Sequence, residues 1–197
     1  MEDRLLDGEH VVNLIVDTTA CRIQAPSDDE VQYCYYDMYH GYHTIKYEIG
    51  CSIATGNICW LKGGFPGQYT DSQIVRASGV LENLKPGEHI MGDRFYYGVR
   101  CFVTPFRGYV GRRAEYVRAW DYYLSARRVL IERWNNRIKN FKAFSIAWRH
   151  PRALHHVAFK AAANIVCLYV HFHPLSVVCP PHPASLPADF PITEDVD

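Results

Sequence analysis

The chain has 197 residues, 48% hydrophobic and 14% aromatic, which is enough to bury one core and too little for an array of large domains. Its 21 basic and 21 acidic residues cancel, but the signs are segregated: the first fifty residues are acidic, whereas Arg107, Arg112, Arg113, Arg118, Arg127, Arg128, Arg133, Arg137, Lys139, Lys142, Arg149 and Arg152 crowd a later stretch. Seven cysteines without a C-x-x-C pair exclude a disulfide-built scaffold and point to reduced thiols, and the ten histidines do not combine with cysteine at zinc-site spacing.

In chain order, residues 1–10 form an acidic lead-in. Val11-Val12-Asn13-Leu14-Ile15-Val16 is a short, branched apolar run, the mark of a central strand buried on both faces, and the pattern predicts that Asp17 ends it. An acid inside such a strand would be desolvated at considerable cost, whereas one at its C-terminal end faces a solvated cleft. Ser27-Asp28-Asp29-Glu30 reads as a surface turn. Ile45, Tyr47, Ile49, Cys51 and Ile53 alternate with Lys46, Glu48, Gly50 and Ser52, predicting a strand with one buried face. Thr55-Gly56-Asn57 supplies a turn and Ile58 to Leu61 the hairpin partner. Gly63 to Gly67 reads as a loop, followed by a helix from Asp71 to Leu84 that Asp71 caps and Pro86-Gly87 ends.

His89-Ile90-Met91-Gly92 is a fourth, short apolar strand that leads into Asp93, with Gly92 permitting close backbone approach. A fifth strand is expected at Val99 to Val103. Two helices follow, around Asp121 to Phe144 and Ala153 to Tyr169. The second is apolar, yet His155, His156, Lys160 and Asn164 make it a poor membrane span, so a buried core helix and no membrane partner are expected. The prolines from Pro174 onward and the closing acids indicate a flexible tail over 176–197. This leaves 11–175 as the folded domain, an α/β unit with a mixed five-stranded sheet flanked by helices.

Along the first of these helices, Ile131, Trp134, Ile138 and Phe141 share one face at 100° per residue, while Arg128, Glu132, Asn135 and Lys139 form a narrow polar stripe bordering it. A helix laid on the sheet would hold Glu132 near the strand ends. The plain alternative is a solvated face with an Arg-to-Glu pair one turn apart, worth only a few tenths of a kcal/mol. For Asp17 and Asp93 the plain alternative is that each caps the loop after its strand. The arginines interleaved with Trp120, Tyr122, Tyr123, Trp134 and Trp148 suit phosphate contact and base stacking, or equally a solvated basic surface.

Tyr42-His43-Thr44-Ile45-Lys46-Tyr47-Glu48, Gly64-Phe65-Pro66-Gly67 with Asp71-Ser72 and Ile74, Gly92-Asp93-Arg94-Phe95-Tyr96-Tyr97-Gly98, Thr104-Pro105-Phe106 and Arg128-Val129-Leu130-Ile131-Glu132-Arg133 occur in that order. This set resembles the DDE superfamily endonuclease domain of the PIF/Harbinger transposases and their bacterial insertion-sequence relatives, from about Val11 to about Leu175. The resemblance implies an RNase H-like fold and three metal-binding catalytic carboxylates, Asp17, Asp93 and Glu132, with Asp71 the competitor for second place. It also implies two Mg2+ or Mn2+ ions, DNA as substrate, and Arg128 and Lys139 on its phosphates, helped by Arg127, Arg133 and Arg137. The family usually carries glycine where this chain has Phe95, in a backbone conformation that a bulky residue adopts at some cost, and His where it has Thr70. A helix-turn-helix region normally precedes the first Asp, so the resemblance leaves three readings: a catalytic domain alone, a truncated gene product, or a chain that depends on a separate DNA-binding accessory protein. A nuclear location is expected if the source is eukaryotic, and a cytoplasmic one otherwise. A non-cutting, domesticated derivative that binds DNA or a protein is the other reading.

Overall fold

Two long strands organise the molecule, β2 (Val11–Arg22) and β4 (Tyr42–Ser52), in a computed structural model that describes residues 3–4, 11–106 and 114–175. They pair antiparallel from Leu14↔Ser52 to Arg22↔Thr44. β4 continues into β5 (Ile58–Pro66) as an antiparallel hairpin. On its other edge β2 takes β6 (Glu88–Met91) in parallel, and β6 takes β7 (Phe102–Val103) in parallel. The order across the sheet is therefore β5-β4-β2-β6-β7. Two-residue strands β1 (Asp3–Arg4), on β2, and β3 (Tyr36–Asp37), on β4, bring the described sheet to seven. The sheet is mixed, as expected, and two short strands richer than the predicted five.

Helices cover both faces. One side carries α3 (Ala114–Lys139), the short α4 (Lys142–Ser145) and α5 (Arg152–Phe172), which pack Trp120, Ile131, Trp134, Ile138, Phe144 and Phe159 against Ile15, Cys21, Ile45, Tyr47 and Ile49. The other carries α2 (Asp71–Ser78), whose Val75 joins Val80, Ile90, Tyr96, Val99 and Phe102 over Val16. Adjacent residues of β2 thus serve opposite cores, because successive side chains of a strand point to opposite faces. Polar contacts fix the layers in register. Trp134 Nε1 donates to the Gly56 carbonyl at 2.6 Å, tying α3 to the β4–β5 turn. Tyr47 Oη lies 2.8 Å from His155 Nδ1 and its ring stacks on Phe159 at 3.8 Å. Burial holds His155 neutral, with its pKa down to about 4.

Several local expectations change in three dimensions. Asp17 does not end β2: the strand runs on to Arg22 because β4 keeps pairing with it, and only its β6 partner stops early. β4 has two buried faces, since Lys46 and Glu48 are 9% and 0% exposed. Residues 63–66 belong to β5, and Asp28 caps a helix α1 (Asp29–Tyr35) where a turn was expected. Thr70 caps α2 in a reciprocal box with Gln73, leaving Asp71 as its first residue, and the helix stops at Gly79 with φ 83°, ahead of a separate 3-10 turn over Leu81–Asn83. The long helix begins earlier than expected and breaks at Phe141, the cap of α4.

α5 buries His155, Phe159, Ala162, Ala163, Val166 and Val170 in the core. It is also long and apolar enough to cross a membrane, and it leaves Leu154, Val157, Ile165, Leu168 and Phe172 exposed, so it is a half-buried helix. Of the cysteines, Cys21, Cys34, Cys51, Cys59, Cys101 and Cys167 are free thiols; Cys21 and Cys51 are buried, and Cys34 and Cys59 exposed. The expected tail, most of the lead-in and Arg107, Arg112 and Arg113 lie outside the described residues.

A network at the start of β4 holds the loop that leads to α2. The nearly inaccessible Asp37 (2% exposed) accepts from Thr44 Oγ1 at 3.2 Å, faces Lys46 Nζ at 3.1 Å and sits 2.8 Å from His40 Nδ1. Burial alone would raise its pKa, but these hydrogen bonds hold it below the usual carboxylate range. Lys46 also donates to the Tyr69 carbonyl at 2.9 Å, so one buried cation fastens the residues just before α2 to the sheet.

Gly92 is the tightest point on the path to Asp93. A Cβ there would meet the Tyr96 and Phe102 rings at 2.7 Å, and those rings stack at 4.7 Å. Gly92→Ala is therefore expected to destabilise the protein by about 1–3 kcal/mol through overpacking, read as a lower denaturation midpoint at unchanged m-value.

Candidate active site

The register of β2 and β6 explains how Asp17 and Asp93 come together. The last parallel pair is Ile15↔Met91. Each acid lies two residues beyond its member of that pair, so the two emerge side by side where β6 ends and β2 continues. Asp93 turns the chain by accepting from the Phe95 amide at 2.7 Å, as the cap of a 3-10 turn over Arg94–Tyr96. Phe95 itself is 55% exposed and has negative φ; the left-handed position nearby is Gly98, at φ 83°. The expected backbone penalty at Phe95 is thus absent, because the turn does not need a glycine there.

Asp17 is the electrostatic centre. Its pKa is raised from 3.8 to about 7, first by burial and then by Asp93, with Asp71 adding to the rise and Arg128 opposing it. Asp71, at the start of α2, is likewise raised by burial and by Asp93, although Lys46 and a Thr18 hydrogen bond pull it down. Thr18 Oγ1 lies 3.0 Å from Tyr96 Oη, joining β2 to the turn after Asp93. Across from Thr18 in the β2–β4 register stands Glu48, fully buried, whose Oε2 accepts from Trp60 Nε1 at 2.7 Å.

α3 delivers the polar stripe to this place. Asn135 Nδ2 donates to Asp17 Oδ2 at 2.7 Å, while its Oδ1 is buried with no hydrogen-bond partner. Glu132, one turn earlier, is 55% exposed and stands 3.8 Å from Arg128 Nη2, a loose surface pair. The structure therefore brings Asp17, Asp93 and Asp71 within mutual electrostatic reach and puts the helix bearing Glu132 against Asp17, with the Glu132 carboxylate itself turned to solvent. Among the described residues, no group of three or more His, Cys, Asp or Glu is gathered closely enough to hold a metal ion.

The basic residues divide. Arg128 acts on Asp17, and Lys139 and Arg133 are exposed farther along α3. Arg127 is 6% exposed with its guanidinium 3.5 Å over Tyr123, and Arg137 lies 4.9 Å over Tyr169. Arg127 is thus spent on packing and is withdrawn from any phosphate. The same holds for base stacking by Trp120, Tyr123 and Trp134, all buried to within 1%; only Tyr122, 66% exposed, keeps an open ring among the residues of that helix set.

Asn135 and Glu48 were not singled out as site residues by the sequence. Asn135 carried a signal, its place three residues after Glu132 on the same stripe. Glu48 closed the Tyr42–Glu48 segment on which the family resemblance rests, but only the register sets it opposite Thr18.

A family model described as the DDE superfamily endonuclease matches residues 16–171. The chain belongs to this family. No curated protein and no solved structure matches it. The matched span contains Asp17, Asp71, Asp93 and Glu132, and endonucleases of this superfamily generally depend on divalent metal ions. The chemistry of the acids suits such an ion even though they are not gathered into a ready-made cage: Asp93 raises the pKa of both Asp17 and Asp71, and a cation among these carboxylates would relieve that repulsion.

The shifted Asp17 has a measurable consequence. Its pKa is higher folded than unfolded, so its contribution to stability is fully present below about pH 4 and is lost as pH rises through about 7; Asp71 adds in the same direction. Metal-free protein is expected to lose stability on the order of 4 kcal/mol over that window. Asp17→Asn should remove most of the loss, seen by comparing denaturation midpoints of the two proteins at each pH.

Proposed function

We propose that the chain is a transposase-derived nuclease domain of the PIF/Harbinger type that cuts DNA phosphodiester bonds with divalent metal ions held by Asp17, Asp93 and Glu132. The observation that carries this reading is the register: two acids, each two residues beyond the last pair of adjacent parallel strands, with α3 hydrogen-bonded to the first. The strand order and directions, antiparallel β5-β4-β2 followed by parallel β6 and β7, support an RNase H-like fold.

Asp17, which feels the charge of Asp93 and accepts from Asn135 of the α3 stripe, would be a ligand of the ions. Asn135 fixes its Oδ2 by a hydrogen bond of 2.7 Å, and the Thr18 backbone also donates to the carboxylate. Asp93 presents the oxygen that its turn does not use, since only Oδ1 accepts from Phe95. Glu132 reaches the pair by rotating its exposed side chain away from Arg128, a contact worth tenths of a kcal/mol. Asp71, at the rim and tied electrostatically to Lys46, tunes the charge of the site. The bound ions supply activation of a water or DNA 3'-hydroxyl and stabilisation of the leaving oxygen. Arg128 and Lys139, along the same helix edge, neutralise phosphates of the strand being cut. Mg2+ and Mn2+ are the ions that suit this oxygen-rich set.

The test is metal-dependent nicking of duplex DNA. Wild type should nick with Mg2+ or Mn2+, and Glu132→Gln and Asp93→Asn should each lose more than about a hundredfold, the upper range for residues that merely support a ligand. Saturating metal at a hundred times its Kd should stabilise wild type by about 2.7 kcal/mol. Equal stabilisation of the Asp17→Asn, Asp93→Asn double variant would place the ions elsewhere. DNA binding without any metal-dependent product would make the chain a non-cutting derivative.

A further inference from the structure

Five residues beyond Asp17, at the far end of β2, the chain opens a polar cleft of about 460 Å3 lined by Arg22, Gln24, Tyr42, His43 and Arg149 among others. Its floor is rigid. Ile23 donates to the His43 carbonyl at 2.9 Å, Gln24 to the Trp148 carbonyl at 2.8 Å and Trp148 to the Arg22 carbonyl at 3.0 Å, so these three backbone donors are already used. Two of the lining side chains are exposed arginines. No carboxylate lines the cleft, and neither arginine has an acidic partner among the described residues. The Arg22 guanidinium is held 4.9 Å over the Tyr42 ring, so its orientation is fixed before anything binds. A concave, preorganised surface with two uncompensated guanidinium groups is suited to phosphate, which arginine contacts through two parallel hydrogen bonds.

The position of the cleft says which phosphate. Trp148 pairs with Ile23 on the edge of β2 that β6 leaves after Ile15, so the cleft opens along the same strand edge as the turn that carries Asp93. At about 3.3 Å per strand residue, five residues place Arg22 roughly 16 Å from Asp17, and a DNA strand rising about 3.4 Å per nucleotide covers that in about five steps. We propose that this cleft is a phosphate-binding subsite for the DNA strand flanking the cut, gripped by Arg22 and Arg149 about five nucleotides from the acids. The assignment rests on the nuclease reading above for its substrate and on the cleft for its location.

Each phosphate neutralised by the protein steepens the salt dependence of binding by about 0.9 in log K against log salt. Binding of a labelled duplex in EDTA, followed by anisotropy between about 50 and 200 mM salt, therefore isolates the cleft from catalysis. Arg149→Ala, at an exposed residue, should lower the slope by about one and the Arg22→Ala, Arg149→Ala double variant by about two. The double variant should also bind at least about tenfold more weakly at the lower salt, with Arg22→Lys retaining most of the slope and Lys160→Ala, at an exposed residue of α5, matching wild type. A double variant with the wild-type slope and affinity overturns the subsite while wild-type nicking leaves the nuclease reading intact. A nucleoside monophosphate that occupies the cleft of wild type while the DNA slope is the same in the double variant assigns it to a small phosphate and also overturns the proposal. Wild type that neither binds nor nicks DNA overturns the nuclease reading itself, and the cleft's assignment with it.

Discussion

Everything at the acidic site depends on the unequal pairing of β2. On one edge it is held by β4 through to Arg22, and on the other by β6 only as far as Ile15↔Met91. The backbone of β2 is therefore rigid on both sides of Asp17, while the space beside Asp17 on the β6 edge belongs to a turning chain. A strand that ended at Asp17 would leave its carboxylate on a mobile loop. A strand paired on both edges through Asp17 would leave no space for a second acid at its side. The continued β4 pairing supplies the rigidity and the early end of β6 the space, and the tight packing of Gly92 against Tyr96 and Phe102 determines where the chain goes next.

That backbone arrangement sets the electrostatics. A desolvated carboxylate next to other carboxylates resists ionisation, and burial, Asp93 and Asp71 together raise the pKa of Asp17. The molecule supports the charge in three graded ways: an amide hydrogen bond from Asn135, the Arg128 guanidinium, and, around Asp71, the Lys46 ammonium. None of these is a close ion pair with Asp17. A site that neutralised its own acids with a tight arginine would gain stability and lose affinity for a cation, so the looseness of the compensation is consistent with metal chemistry. It also explains why pH and divalent ions should act on the same residue.

Much of this was legible in the chain because the signals were local. The apolar run at Val11 to Val16, the Gly92-Asp93 turn, the face shared by Ile131, Trp134 and Ile138, and the mixed sheet all follow from periodicity and turn chemistry. What could not be read was whatever a partner element decides. Whether β2 stops at Asp17 depends on β4, and whether Lys46 and Glu48 are buried depends on α2 covering the second face of the sheet. Arg127 looks like any surface arginine until Tyr123 is placed under it. The interleaved aromatics misled for the same reason: a tryptophan in a basic helix serves the core or a nucleic acid according to which side of the helix faces the sheet, and Trp120 and Trp134 face it.

Asn135 and Glu132 show how one helix face can do two different things. They are three residues apart and so neighbours on the surface of α3, yet Asn135 is pinned to Asp17 and Glu132 leans on Arg128. The pinned residue fixes the height and rotation of α3 against β2, which puts the Glu132 backbone beside the acids whatever its side chain does. The loose residue then costs little to move, because an exposed pair at 3.8 Å contributes a fraction of a kcal/mol. Arg128 gains from either arrangement, being attracted to Asp17 when Glu132 leaves it. Separating the anchoring side chain from the mobile one lets the helix be rigid and its carboxylate adjustable, and a site that must take up cations and a DNA strand needs both properties in the same turn of helix.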